Sequence, residues 1–366
     1  MNITDLTTHL FSHQPENPPR NARTVWKTKH VLLVRIETDT GLFGVGEAWV
    51  DGADPSAVEA ILLKDVRPYL LGRDPFMTDA VFDALFDTTV VSGKRGIMHA
   101  AASAVDIALW DIKGKAANLP IYRMIGGNSS DIFTYASGGL YQDGKGICEL
   151  ANEMAGYVAQ GFAAVKIKVG GVSVREDIDR VAAVRAAIGP DIMLMADALY
   201  NHTVPDAMRF ARAVEEYDLA FYEAPVTSYD IEGLARVAAV APMPIAGNEI
   251  EFGRHAYRRL IEAKAVGVVH IDAILCGGIS ESLKIAAVAS AHNLPVSMHN
   301  SSSVIAFAAN LQVAAAIGNH HSTEYHMVHR LLFDHVEPGV FARDGSYVIV
   351  SERPGLGLEF DPSDLD

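Results

Sequence analysis

Residues 163–170 read Ala-Ala-Val-Lys-Ile-Lys-Val-Gly. Five of these are apolar, three of the five are β-branched, and Gly170 closes the run, which is the composition of a buried strand. Lys166 and Lys168 interrupt it. Side chains alternate across a strand, so residues two apart face the same way. Two ammonium groups on one face of an apolar strand repel each other and lose hydration. They need carboxylates or an anionic ligand beside them, or one of them must be neutral. The alternative is an edge strand with two solvated lysines, and the rest of the chain decides between the two.

Downstream and upstream of this stretch, from about residue 131, short apolar strands alternate with helical patterns. The strands are IFTYAS, FAAVKIKV, IMLMADA, LAFYEAP, MPIAGNE, VGVVHIDA, LPVSMHN and STEYH; the helices fall at about 147–160, 174–188, 204–216, 230–240, 253–264, 279–292 and 303–317. Repeated βα units predict parallel strands joined by right-handed crossovers. Eight strands at this spacing fit a closed (β/α)8 barrel of the TIM type better than an open sheet.

Before residue 131 the texture differs. Residues 1–10 form a candidate strand, and 12–29, polar with three prolines, read as a long loop suited to a lid or binding segment, or to plain disorder. His30–Val50 alternates and turns at Thr40-Gly41, as an antiparallel hairpin does. Helical patterns follow at about 55–71, 76–90 and 96–116. The last must be largely buried, and Asp106 and Asp111 inside it read as structural hydrogen-bond acceptors rather than catalysts. Strands first and helices after make an α+β unit. The expected organisation is an α+β capping domain over 1–127, a modified barrel over 128–326, and a tail over 327–366 that returns to the capping domain.

At 366 residues the chain can bury a large core in two domains. Lys+Arg 30 against Asp+Glu 45 gives a net charge of −15, which argues against nucleic acid or an anionic membrane as partner. The two cysteines, Cys148 and Cys276, are far apart and lack metal-type spacing, as suits a reducing cytoplasm. MNITDLTTHLFSH is not read as a signal peptide, and the apolar stretches, such as 304–318 with Asn310 and Gln312, make no convincing membrane span.

Function in such barrels sits at the C-terminal ends of the strands. Those ends carry Lys166 with Lys168, then Asp197, Glu223, Glu249, Asp272, His299 and Glu324, at steps of 31, 26, 26, 23, 27 and 25 residues from Lys166 onward. One βα unit separates each from the next, so all converge on one mouth. A single acidic strand end is usually a helix cap, but an unbroken series is hard to reach by chance. Asp197, Glu223 and Glu249 offer three hard oxygen ligands on one side, the set that suits Mg2+, and they also compensate the lysines. Zinc would want histidine or cysteine ligands. Across the mouth, Asp272 can orient the His299 imidazole and raise its basicity. The positive neighbour of each lysine lowers its pKa, so one of the pair is a candidate base near neutral pH.

With these residues in place the chain resembles the enolase superfamily and, within it, the mandelate racemase subgroup. Asp-Glu-Glu marks the superfamily; Lys-x-Lys followed by the Asp/His dyad marks the subgroup. LWDIKGKAANLPIYRMIGG (109–127) adds to the likeness. A lysine or histidine base working with Mg2+ is the superfamily's general pattern. The resemblance implies Asp197, Glu223 and Glu249 as Mg2+ ligands, Lys168 as base on one face and Lys166 as partner of the substrate carboxylate. It implies His299, assisted by Asp272, as acid or base on the other face, and Glu324 as the acid that hydrogen-bonds the carboxylate. Ser137 is a weaker candidate for carboxylate contact. The family often has asparagine where Leu199 stands, which leaves Asn201 as a possible substitute, and glycine where Asn248 stands.

The implied activity is dehydration of a sugar acid, an aldonate or aldarate, to a 2-keto-3-deoxy acid, with racemisation or epimerisation of a 2-hydroxy acid as the alternative. A binding protein on a retired enzyme fold and a hydrolytic metal barrel are remoter readings. The polar residues Asn17, Arg20, Asn21 and Arg23 of the 12–29 loop, together with the 49–55 segment, tilt the substrate towards polyhydroxy acids. The expected partners are a small carboxylate and other copies of the chain. His320, His321, His326 and His329 read either as a second metal site or as substrate contacts and surface beside the last strand's mouth. Gly277-Gly278 reads either as a phosphate-cradling turn or as a tight βα turn.

Overall fold

The computed structural model describes residues 1–52, 54–92 and 96–365. Three antiparallel strands come first: β1 (Ile3–His13), β2 (Lys29–Thr38) and β3 (Phe43–Ala48), in the order β1-β2-β3. Gly44 and Gly46 explain how β3 sits on the long helix Ile97–Ala117. A Cβ at either position would lie about 2 Å from the carbonyl oxygen of Ala108 or Ala104, so only glycine allows the approach. The facing stretch of that helix is alanine-rich for the same reason. Its two buried aspartates are acceptors for other elements. Asp111 takes the N–H of Val45 (3.1 Å) and of Leu356 (2.9 Å), and Asp106 takes the N–H (2.9 Å) and hydroxyl (2.6 Å) of Ser280.

The expected helix over 55–71 is one run with an irregular centre. Its hydrogen-bond ladder widens to a π turn at Leu62–Val66, directly ahead of Pro68, which has no N–H to donate.

Eight parallel strands then close into a barrel: β4 (Asp131–Ser137), β5 (Ala164–Lys168), β6 (Met193–Asp197), β7 (Leu219–Glu223), β8 (Ile245–Gly247), β9 (Val268–Ile271), β10 (Val296–Met298) and β11 (His320–His326). Each pairs with the next, and β11 pairs back onto β4, Thr323 opposite Thr134. Helices cover the outside. Their starts follow local chemistry: the Ser173 hydroxyl accepts from Glu176 N (3.3 Å) while Ser173 N donates to the Glu176 carboxylate (3.0 Å), which opens Val174–Ile188. The Thr203 hydroxyl accepts from Asp206 N (3.2 Å) and so caps Val204–Ala213.

β5 is therefore not an edge strand. Val165 and Ile167 join the apolar layer between barrel and helices, while Ala164 packs inside the barrel with Tyr135, Met195 and Phe221. Lys166 and Lys168, two and four residues on from Ala164, share that inner face one and two layers higher.

The tail makes two attachments. β12 (Arg343–Asp344) and β13 (Tyr347–Ile349) form a hairpin that pairs antiparallel with β4, Val348 opposite Ile132. The chain then crosses the N-terminal unit, where Leu356 meets Asp111 and Asp361 pairs with Arg35 at 3.0 Å. Among the described residues no helix is long and apolar enough to cross a membrane.

Candidate active site

The barrel geometry brings every strand-end residue to one buried mouth. Lys168, Asp197 and Glu223 stand level in register on β5, β6 and β7. Glu249 lies just beyond β8, Asp272 just beyond β9 and His299 just beyond β10, and Glu324 is inside β11. All eight, Lys166 included, are buried.

Lys166 Nζ donates to Glu223 Oε2 (2.6 Å) and to the Tyr135 hydroxyl (3.3 Å), and lies 3.1 Å from Glu324 Oε1. Burial works against its charge, but Glu223 and Glu324 outweigh burial and hold the ammonium well above the ordinary lysine value. Lys168 donates to Asp197 Oδ2. Here too burial lowers and Asp197 raises, and the net is upward. The expectation that lysine–lysine repulsion would lower one pKa is thus corrected for this state, because each ammonium is held by a carboxylate whose pull outweighs burial and the repulsion.

On the facing side, His299 Nδ1 donates to Asp272 Oδ2 (2.8 Å), and His299 Nε2 looks across to Glu324 Oε2 at 3.7 Å. Burial opposes the imidazolium, yet Glu324 and the Asp272 hydrogen bond raise it from 6.5 to about 9. Asp272 is itself fixed: its Oδ1 accepts from Ile274 N (3.2 Å) and Asn310 Nδ2 (3.1 Å). Lys166 and His299 overcome burial to hold Glu324 well below the usual carboxylate range, so it is ionised and acts only as an acceptor here.

Five buried carboxylates (Asp197, Glu223, Glu249, Asp272, Glu324) face two ammonium groups and the imidazoles of His270 and His299. The surplus is negative, and Glu249 Oε2 has no hydrogen-bond partner among the described residues. A buried carboxylate oxygen left bare beside other carboxylates is a fit for a hard cation. Ligand atoms of Glu223, Glu249 and His270 lie within 4.8 Å of one another. Asp197 stands apart from that cluster, its Oδ2 on Lys168 and its Oδ1 accepting from Leu199 N (2.8 Å).

His270 and Tyr135 were missed by sequence reasoning. Both sit two residues before a singled-out strand-end residue, Asp272 and Ser137, so strand alternation alone could have placed them inside the barrel. His270 Nδ1 lies 3.1 Å from Glu223 Oε1, and its Nε2 lies 3.1 Å from Ser297 Oγ. Ser137 is buried, with a hydroxyl that has no partner among the described residues. Asn201 does not replace the absent asparagine at Leu199, because its amide is spent on the Gly170 carbonyl (2.8 Å). Asn248 is buried beside Glu249.

The four histidines do not form one group. His320 and His321 begin β11, at the end away from the mouth, and bond Thr323 and Ser322 at 2.9 Å each. His326 and His329 lie at the mouth end with ring centroids 4.7 Å apart. The strand's length separates the pairs, which rules out one metal site for all four. Gly277-Gly278 is a tight turn and not a phosphate cradle: a Cβ at Gly278 would lie 2.4 Å from the Asp106 carboxylate, and Gly277 N already donates to Ser103 Oγ (2.9 Å).

The mouth opens into a cavity of about 220 Å³. Lys168, Glu249 and His299 are on its floor side, and Asn21, Arg23, Trp26 and Asp51 of the N-terminal unit close it from above. The 14–28 segment is thus ordered against the barrel: Arg20 and Tyr141 exchange backbone hydrogen bonds at 2.9 Å, and Arg23 donates to the Tyr200 carbonyl. Within the 49–55 segment, Ala53 lies outside the described residues.

Two family models match the chain: the mandelate racemase / muconate lactonizing enzyme N-terminal domain over residues 5–126, and the enolase C-terminal domain-like family over 149–364. The chain is 34% identical over 359 residues to arabinonate dehydratase of Saccharolobus solfataricus, covering 97% of this chain and 96% of that one. It is 36% identical over 319 residues to D-galactarolactone cycloisomerase of Agrobacterium fabrum, covering 87% and 83%. Among solved structures, a racemase from Streptomyces coelicolor with bound magnesium superposes with a TM-score of 0.92 at 28% identity, over 99% of this chain and 98% of that one. The two matched domains and the lysine pair facing an Asp–His dyad agree: this chain belongs to the enolase superfamily, in its mandelate racemase subgroup.

Proposed function

We propose that the chain is a hydro-lyase that dehydrates a sugar acid, an aldonate or aldarate, to a 2-keto-3-deoxy acid. The observation that carries this reading is the opposition of Lys168 to the Asp272–His299 pair across one cavity, with the imidazolium held at a pKa of about 9. Dehydration needs a base for the α-proton and an acid for the departing β-hydroxyl, and this arrangement offers both. Relatives named as dehydratases, arabinonate dehydratase among them, support the lyase assignment.

Asp197, Glu223 and Glu249 would hold Mg2+, which when bound supplies positive charge beside the substrate carboxylate and the enediolate derived from it. His270 stands beside Glu223, its Nδ1 3.1 Å from Oε1 and its Nε2 3.1 Å from Ser297 Oγ. Were Asp197 to hold the cation, its carboxylate would compensate the Lys168 ammonium less, and burial together with the charge on Lys166 would favour the neutral amine. Lys168 Nζ takes the proton from C2. His299 Nε2 gives its proton to the C3 hydroxyl, the C3–O bond breaks, and water leaves. The enol takes a proton at C3 and becomes the 2-keto acid. Lys166 neutralises the substrate carboxylate from below. That carboxylate adds a like charge next to Glu324, raises its pKa, and favours the protonated form that can donate a hydrogen bond to it.

The test is to incubate the protein and Mg2+ with a panel of aldonic and aldaric acids and assay 2-keto acid. EDTA treatment and the Lys168→Ala and His299→Asn variants serve as controls. Metal-dependent product lost in the variants supports the reading. Deuterium entering C2 from heavy water without keto product would replace it by racemisation or epimerisation, which the same opposed pair could perform.

A further inference from the structure

His326 has no part in the proton transfers, yet it lies at their edge. It stands two residues beyond Glu324 on β11, on the same inward face, opposite Ser137 in register. It is 3% exposed and lines the same cavity as Lys168, Glu249 and His299.

Its ring is fixed in a particular form. Nδ1 accepts two backbone N–H groups, from Val328 (3.1 Å) and His329 (2.9 Å). A nitrogen that accepts cannot carry the proton, so the neutral ring is protonated at Nε2 and presents a donor there. The orientation is clamped by His329, whose ring lies tilted against it with centroids 4.7 Å apart and is in turn set edge-on against Trp26 at 4.6 Å. Burial, with Lys168 and Lys29 nearby, outweighs the attraction of Glu324 and keeps the ring neutral. The cavity therefore holds an N–H donor that cannot turn into an acceptor and does not charge.

The upper wall sets the polarity of whatever meets that donor. Asp51 accepts from Trp26 Nε1 (2.8 Å) and pairs with Lys29 (2.8 Å), while the Arg23 guanidinium is engaged by the Tyr200 carbonyl. A hydroxyl both accepts and donates, and suits a wall with a donor in His326 and an acceptor in Asp51.

We propose that His326 is a specificity-determining residue whose Nε2–H donates to a hydroxyl oxygen of the substrate chain beyond the reacting C2–C3 pair. This rests on the reading of the site as one for polyhydroxy acids. A neutral hydroxyl buried against a donor is discriminated strongly, because the analogue lacking it leaves the N–H unpaired.

The experiment compares an acid that the Mg2+-loaded enzyme turns over with analogues each lacking one hydroxyl beyond C3. For the native enzyme, kcat/KM should fall about 10- to 100-fold for one analogue. His326→Leu should erase that difference, raising KM for the parent acid more than it lowers kcat, and His326→Gln, which keeps an N–H donor, should restore most of it. Undiminished discrimination in His326→Leu, an equal loss on parent and analogue, or no discrimination in the native enzyme would each overturn the assignment. Should the leucine variant fail to fold, 15N spectra of the native protein decide: an Nε2–H tautomer between pH 6 and 8 is expected, and an Nδ1–H tautomer refutes it. If the native enzyme neither dehydrates nor exchanges any acid of the panel, the reading of the site fails, and this inference with it.

Discussion

Replacing Asp272 by asparagine keeps the shape of the side chain and removes its charge. The surroundings dictate how the amide must sit. The position of Asp272 Oδ1 receives two donors, Ile274 N and Asn310 Nδ2, so the amide oxygen belongs there and the NH2 takes the place of Oδ2. That group then faces His299 Nδ1, which must become an acceptor, and the ring proton moves to Nε2. In the native protein the rise from 6.5 to about 9 corresponds to about 3.4 kcal/mol of preference for the imidazolium. Against burial, Glu324 is the largest single upward cause, and the hydrogen bond and charge of Asp272 come next. Without Asp272, burial gains the upper hand and the pKa should drop to 6.5 or below. The ring, mostly protonated at pH 8 in the native enzyme, would then be almost wholly neutral there, with its single proton on Nε2 and no charge to drive departure of the hydroxyl. A wrongly held tautomer in a comparable Asp–His pair costs about 10⁴ in kcat, so a loss of about 10²- to 10⁴-fold is expected. Two assays check it. Imidazole 15N shifts in the metal-free protein should place His299 near 9 in the native chain and at or below 6.5 in the variant. The alkaline limb of kcat should move down in pH by a similar amount. An unchanged His299 titration, or native kcat with an unmoved alkaline limb, would refute the argument.

Three further outcomes follow from other parts of the structure. Glu47 of β3 is buried, accepts from the Ser302 and Ser303 hydroxyls and from Ala306 N (3.1 Å), and is pushed by burial from 4.5 to about 7 against those hydrogen bonds. A carboxyl raised in the folded state holds a proton that the unfolded chain has released. Stability should therefore fall as pH rises from about 4.5 to about 7, by about 3 kcal/mol in total, and Glu47→Gln should flatten that slope in urea titrations at pH 5, 6, 7 and 8. Mg2+ at about 100 times its Kd should raise thermal stability by about 2.7 kcal/mol in the native protein, and the gain should shrink markedly in Glu249→Gln. Differential scanning with and without EDTA reads it. Gly46→Ala places a methyl 1.9 Å from the Ala104 carbonyl, and should cost about 3 kcal/mol or more, seen as a lowered denaturation midpoint or loss of soluble protein.

The barrel and its rim were legible because each βα unit repeats one arrangement. A strand ends, its last inward residue faces the mouth, and the next unit begins. Lys166, Lys168, Asp197, Glu223, Glu249, Asp272, His299 and Glu324 could thus be placed together from spacing alone. Local rules also carried the hairpin at Thr40-Gly41 and the helical spans at about 174–188 and 204–216. What failed to show was whatever depended on which partner each group meets. The Lys168–Asp197 pair and the upward direction of the lysine pKa depend on side-chain positions between strands. Glu47 meets the start of the helix Val304–Ala316 across 255 or more residues, and the backbone contacts that fix the His326 tautomer come from a turn with no marked pattern. The division of the histidines was equally hidden: sequence proximity joined four residues that the two ends of one strand hold apart. Sequence determined which side chains share the barrel's inner face, because alternation and repeat are properties of the chain itself. Only the tertiary structure decided their charge states and hydrogen-bond partners, because these are set by distances across the fold and by exclusion of water.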